Sequence, residues 1–193
     1  MTLVDIWRPG IAKTYTNLLY NTILVITASL LVALSAQIAI PLPFTPVPVT
    51  AQILAVLLIG AVLGSARGAL AILTYLAEGA AGLPVFAGGK AGLAWLAGPT
   101  GGYLIGFVIA AFVTGYLAER RWDRNILTGF LAMLIGNVII FAFGLLILGG
   151  YVGFDKVLAL GFYPFLIGDI VKLALATFLL PLGWKALQIS GKI

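Results

Sequence analysis

Long uncharged runs and short polar breaks divide this chain. Leu18 to Ile40 carries no charge over 23 residues, more than the roughly 20 apolar residues a helix needs to cross a bilayer. This predicts a first spanning helix over 18–40. Before it, Met1 to Asn17 holds Asp5, Arg8, Pro9 and Lys13 and lacks the apolar core of a cleavable signal, so it reads as a short cytoplasmic arm. The segment IPLPFTPVPVT follows. Pro41, Pro43, Pro46 and Pro48 each remove a backbone donor and disfavour helix in the residue before, which predicts extended chain. Further apolar runs cover 51–63 and 69–81, separated by a short basic break at Ser65–Gly68 and both short for a crossing, with helices expected over 51–63 and 66–81. Gly82 to Pro99, GLPVFAGGKAGLAWLAGP, is dense in glycine and reads as a long ordered loop lying against the protein. Spans at 100–118, 126–149 and 160–182 complete the pattern. The charged stretch ERRWDRN ends the fourth, and the sixth is interrupted by Asp169 and Lys172 and closes near Pro181.

The pattern predicts an all-α integral membrane protein: six transmembrane helices in one compact domain over 1–193, with a long extracellular loop between helices 3 and 4. Composition agrees. Of 193 residues, 62% are apolar and 9% charged, against about 45–50% and 25% in soluble domains. A domain this small cannot hide so much apolar surface from water, so a soluble monomer is excluded. The chain has no cysteine and no histidine. Disulfides, Cys-ligated zinc and iron–sulfur clusters are thereby excluded, and the commonest general base and metal ligand is missing. No metal or cofactor is expected.

The net charge of +5 takes its meaning from position. With six crossings, Arg8, Lys13, Arg67, Arg120, Arg121, Arg124, Lys185 and Lys192 share one side, and Lys90 and Lys156 the other. The positive-inside rule then puts both termini in the cytoplasm. The basic excess is an insertion signal, and nucleic acid is not an expected partner. Trp7, Trp122 and Trp184 fall at the cytoplasmic ends, where an interfacial aromatic belt would lie.

Asp169 and Lys172 stand three apart on one face of an apolar helix. Ionised groups at bilayer depth cost at least about 2.5–3.5 kcal/mol, so such a pair faces the interior. It either fixes helix packing or lines a cavity open to the exterior. Lys90 lies among Gly88, Gly89 and Gly92, as a solvated loop lysine or as part of a cap over a ligand. Asp169, Lys172 and Lys90 together suit a ligand with N–H donors at one end and an anion at the other. GPTGGY, Gly98 to Tyr103, opens the fourth helix with Thr100 as a candidate cap. Gly89-Lys90 does not belong to a phosphate loop, because Pro84 and Ala91 replace the residues that pattern requires. ATP hydrolysis is therefore not expected of this chain. Trp95, Phe86, Tyr103 and Tyr163 can stack on a flat ligand or anchor at the interface. Gln52 and Thr50 can bond a ligand or cap the second helix. Glu78 is expected to reach water, and Asn137 to make an interhelical hydrogen bond. Small residues four apart, Gly60/Gly64/Gly68, Gly102/Gly106 and Ser29/Ala33, predict close helix packing, within the chain or against a partner.

At IPLPFTPVPVTAQ, GLPVFAGGKAGLAWLAGPTGGYLIGF and GDIVK, in order from about Ala28 to Lys172, the sequence resembles the BioY family, substrate-binding components of energy-coupling-factor (ECF) biotin transporters. The resemblance implies a six-helix S-component in a prokaryotic plasma membrane that binds biotin from outside. It also implies a transmembrane coupling subunit and two cytoplasmic ATPases as partners. Ligand-binding positions implied are Asp169, Lys172, Lys90, Gly89, Trp95, Tyr103 and Gln52, with Asp169 on a ureido N–H and Lys172 and Lys90 sharing the carbonyl and carboxylate. Some relatives carry a cation directly after the tyrosine. Leu104 stands there here, and Lys90 is read as its substitute. Ser29/Ala33 is the nearest match to the stripe that docks on the coupling subunit. Rival readings are an S-component for another vitamin, an intramembrane enzyme using Asp169, and a structural subunit.

Overall fold

The computed structural model describes residues 2–7 and 14–189. Arg8, Lys13 and Lys192 of the charge argument lie outside the described residues. Helices α1 (Thr14–Gln37), α2 (Gln52–Leu63), α3 (Ser65–Ala80), α4 (Leu93–Leu96), α5 (Gly101–Glu119), α6 (Ile126–Val152), α7 (Val157–Gly161) and α8 (Leu166–Ile189) dominate it. Four stretches are long and apolar enough to cross a membrane: Leu18–Gln37, Gly101–Glu119, Ile126–Val152 and Val157–Ile189. The chain is a multi-pass membrane protein. The 12 residues of α2 reach only about 18 Å at 1.5 Å per residue. Their apolar character is spent inside the fold, where Val56, Leu57 and Ala61 are fully buried.

The middle of the molecule is α5, which packs on α2, α3 and α6. Glycine allows the approach. A Cβ on Gly60 of α2 would overlap the Ala111 carbonyl of α5, and one on Gly106 of α5 would come 3.0 Å from Ile140 Cα of α6. The small-residue spacing therefore serves packing within the chain. Outward, Leu18, Leu34, Ile167 and Ile170 are exposed, a surface suited to lipid.

Four boundaries differ from expectation. The first helix ends at Gln37, and Ile38 to Ile40 turn extended, because the proline run cannot continue a helix. There β1 (Ala39–Ile40) pairs antiparallel with β2 (Val49–Thr50), Ala39 opposite Thr50 and Ile40 opposite Val49. The segment expected as a loop, 82–99, contains a 3-10 turn at Ala87–Gly89 and the short helix α4. The fifth helix runs on to Val152, where Gly153 ends it at φ 88°. The sixth is interrupted by a 3-10 turn at Tyr163–Phe165, starts at Leu166, and continues through Pro181 to Ile189. Proline removes one N–H, and the burial of Thr177, Leu180 and Trp184 around it holds the helix together.

At the end of the molecule bearing the α2–α3 and α5–α6 turns, polar groups interlock. Arg67 pairs with Asp5 at 2.5 Å, and Glu119 accepts from the Ser65 N–H at 2.7 Å. Burial would raise the Asp5 carboxyl, but the Thr2 N–H and the Arg67 guanidinium outweigh it and hold it below its ordinary value. Trp184 is not an exposed belt anchor. It is buried and donates from Nε1 to Asp123 Oδ2 at 2.6 Å, with the Arg124 guanidinium 4.1 Å over its ring. A buried carboxylate needs a donor, and this indole supplies it.

Candidate ligand-binding site

The first turns of α8 place Asp169 and Lys172 on one face, and Lys172 Nζ donates to Asp169 Oδ1 at 2.9 Å. Both side chains are largely buried, at 3% and 13% exposure. Lys172 lines a cavity of about 540 Å³, counted to its open mouth. The lining joins parts distant in sequence: Thr50 of β2, Gln52 of α2, Trp95 of α4, Tyr103 and Phe107 of α5, and Phe141 of α6. Asp169 does not line this cavity itself and reaches it through Lys172.

The wall is aromatic and cross-braced. Tyr103 meets Phe141 edge-on at 6.1 Å, and Phe141 meets Phe162 edge-on at 5.0 Å. The Tyr103 hydroxyl donates to the Gly161 carbonyl at 2.8 Å, and its ring lies so close on Gly144 that any Cβ there would overlap it. Across the cavity, Gln52 Nε2 donates to the Tyr75 hydroxyl at 2.8 Å, while Gln52 Oε1 accepts from Thr50 Oγ1 at 3.3 Å. Thr45 Oγ1 donates to the Leu160 carbonyl at 2.7 Å, tying the proline segment to α7.

Lys90 and Gly89 do not line that cavity. Lys90 is exposed, its ammonium 5.9 Å from the centre of the Trp95 ring. Together with Gly88 it lines a neighbouring recess of about 560 Å³, counted to its open mouth, that shares Pro48, Ala87 and Trp95 with the first. Trp95 is the partition between Lys90 and Lys172. Gly88 and Gly89 adopt φ of 68° and 72°, which glycine alone takes readily.

Several residues hold this loop that the sequence did not single out for the task. Phe86 is fully buried, its ring edge-on to Tyr75 at 5.5 Å and so close on Gly79 that a Cβ there would overlap it. Gln37 Oε1 accepts from the Gly89 N–H at 3.1 Å, while its Nε2 donates to the carbonyls of Ala33 at 3.1 Å and Phe86 at 3.3 Å. A lone amide in the last turn of an apolar helix was the available signal. Tyr75, in an otherwise apolar stretch, gave none.

Other expectations are corrected. Ser29 and Ala33 are buried, at 0% and 8% exposure, where α1 packs on α3. The Ser29 hydroxyl lies 3.0 Å from Glu78 Oε1. The stripe read as a docking surface is thus turned inward, and α1 presents Ile26, Leu30 and Leu34 outward instead. Glu78 does not stand free in water: it faces Ser29, and its Oε2 is buried without a partner among the described residues. Thr100 makes no side-chain cap, and Gly101 at the helix start instead bonds back to the Gly98 carbonyl. The GPTGGY glycines serve close approach, since a Cβ on Gly101 would overlap the Leu96 carbonyl and one on Gly102 that of Phe143. Asn137 makes no interhelical hydrogen bond through Oδ1, which is buried and unpartnered among the described residues. Tyr163 is exposed and lines neither recess.

Fold and cavity define an all-helical, multi-pass membrane protein with a recess where the proline ribbon, the glycine loop and the start of α8 meet. The family model for BioY matches residues 11–189, and the chain belongs to the BioY family. Curated relatives include the biotin transporter BioY of Thermotoga maritima, 44% identical over 83% of this chain and 92% of that protein. Another is the biotin transporter BioY of Rhizobium etli, 43% identical over 79% of this chain and 86% of that protein. The crystal structure of the S-component for biotin from an ECF-type ABC transporter shares the fold, with a TM-score of 0.80 over 90% of this chain and 95% of that one at 24% identity.

Proposed function

We propose that this chain is the biotin-binding component of an ECF-type vitamin uptake transporter and is not itself an enzyme. In this reading it captures biotin from outside and delivers it inward with ATP hydrolysed by partner subunits, a transmembrane coupling subunit and two cytoplasmic ATPases. The observation that carries the reading is the cavity floor. A half-buried lysine, held by a buried carboxylate, sits under aromatic walls with Gln52, Thr50 and Tyr103 at the sides. Biotin has matching parts: two ureido N–H groups and a carbonyl, an apolar thioether ring and chain, and a terminal carboxylate. The names of the relatives support it independently.

Asp169, expected on a ureido N–H, instead stands behind Lys172 and holds its ammonium toward the ureido carbonyl, and the chain passes Trp95 to bring its carboxylate toward Lys90 on the neighbouring recess. Phe107, Phe141 and Phe165 enclose the ring system. Six crossings are completed by α2 and α3, with Gly82 to Pro99 outside. The termini then lie in the cytoplasm with Arg67, Arg120, Arg121, Arg124 and Lys185, in a prokaryotic plasma membrane.

Competition by biotin analogues tests the assignment. Biotin methyl ester, which keeps the ureido ring and loses the anion, should displace labelled biotin with lower affinity, and Lys90→Ala should narrow that difference. Equal displacement by the ester and the acid would contradict the carboxylate assignment. Failure of unlabelled biotin to compete would contradict the substrate.

A further inference from the structure

Beside the biotin cavity, on the lipid side of Phe141, α6 and α8 enclose an apolar groove that contains two polar side chains, Asn137 and Asp169. Both residues are more than nine-tenths buried, at 8% and 2% exposure. Asn137 Oδ1 and Asp169 Oδ2 each lack a donor among the described residues. The level of the two is fixed by the aromatic contacts. The chain reverses between α6 and α8, and Phe141 packs on Phe162 at 5.0 Å and on Phe165 at 6.4 Å. One turn further into the membrane along each helix, Asn137 follows Phe141 and Asp169 follows Phe165.

Two buried acceptors facing one apolar groove are an unbalanced arrangement, because hydrocarbon offers no donor and an unsatisfied acceptor is costly. An asparagine amide corrects this by itself. A half-turn of its terminal group exchanges Oδ1 for Nδ2, which carries two N–H donors. We infer that Asn137 is a positioning residue for Asp169, its amide N–H donating to Asp169 Oδ2 directly or through one water, so that Oδ1 stays on Lys172 and the carboxylate holds that ammonium in place for the ligand. This rests on the biotin-binding reading of the cavity above. The ion pair satisfies only one of the two carboxylate oxygens. Asn137 supplies the second partner from the opposite helix, which couples the α6–α8 contact to the geometry of the site.

The titratable groups facing Asp169 are Lys172 on its own helix and Tyr103 on α5. In α2 there is none, and in α6 the only one is Tyr151, whose hydroxyl is bonded to the Ala97 carbonyl at the far end.

The test compares equilibrium biotin binding of detergent-purified wild type, Asn137→Leu, Asn137→Asp and Asp169→Asn between about pH 6 and 8.5. Asn137→Leu should bind roughly tenfold or more weakly at every pH, as expected for losing a hydrogen bond to a charged group. Asn137→Asp carries the sharper prediction. Two carboxyls sharing one proton reproduce the donor, so its affinity should approach wild type at the acid end. Affinity should fall as the proton leaves and the like charges repel, while wild type stays level. A residue that only packs gives no such pH profile, and the profile decides if Asn137→Leu does not fold. Loss of binding in Asp169→Asn with wild-type binding in both Asn137 variants at every pH would overturn the inference. Wild-type binding in Asp169→Asn would instead overturn the cavity reading on which it rests.

Discussion

Lys172 is the residue on which the ligand reading turns, because among the described residues it is the cation that lines the cavity with Thr50, Gln52 and Tyr103 and is held by a buried partner. Its ammonium in a low-dielectric site makes a charge-assisted hydrogen bond, worth about 1.5–3 kcal/mol net. Lys172→Ala should therefore weaken biotin binding by about 10- to 150-fold in calorimetric titration. Removal also strands the Asp169 carboxylate, which pushes the loss toward the upper end. A second prediction concerns Asp123, outside the spans. Burial pushes its carboxyl above the ordinary 3.8, despite the Trp184 N–H and Arg124 acting the other way. A carboxylate whose folded pKa is raised contributes most below the unfolded pKa and loses that contribution as pH rises through the folded one. Asp123→Asn should accordingly raise the thermal midpoint most at neutral pH, with the gain shrinking toward pH 4. A gain that grows on acidification would contradict it.

Residue identity was legible where chemistry is rare. Asp169 and Lys172 stand out in an apolar helix, and the structure pairs them. What a residue faces was not legible. Ser29 and Ala33 declare close packing by size alone, and size does not say whether the neighbour is α3 or another chain.

At the scale of elements, apolar run length located the helices because hydrocarbon admits no unpaired backbone. Their ends were harder. The proline at 181 is absorbed by tertiary packing, whereas Phe162–Phe165 breaks the chain with only Pro164 to announce it. The glycine segment shows the same limit. Gly82, Gly88, Gly89 and Gly92 all take positive φ, which glycine composition signals, but the brace that holds the loop is Gln37, 52 residues before Gly89. Because that side chain bonds both the Gly89 N–H and the Phe86 carbonyl, Gln37→Ala should loosen the cap without touching the cavity floor. The expected result is a biotin dissociation rate raised several-fold with a smaller change in association rate, read by stopped-flow, together with faster hydrogen exchange at Gly89. An unchanged dissociation rate would separate this loop from ligand retention.

For the whole molecule, the proposed orientation rests on the basic residues at the α2–α3 and α5–α6 turns against Lys90 and Lys156 at the other end. The absence of cysteine makes this directly testable, since any introduced thiol is unique. Lys156→Cys should react with a membrane-impermeant maleimide on intact cells, and Arg121→Cys only after permeabilisation. The reverse pattern would invert the topology and put the cavity mouth inside. The fold class was readable from composition because 62% apolar residues leave a chain of this length few other forms. The cavity was not, because it is assembled from β2, α2, α4, α5, α6 and α8, whose meeting depends on the packing of α5 at the centre.

The central claim is that the isolated chain binds biotin selectively, and calorimetric titration of the detergent-purified protein with biotin, thiamin and riboflavin tests it most directly. The account predicts tight one-to-one binding of biotin and no heat from the other two. A folded, monodisperse protein that gives no heat with biotin would contradict it.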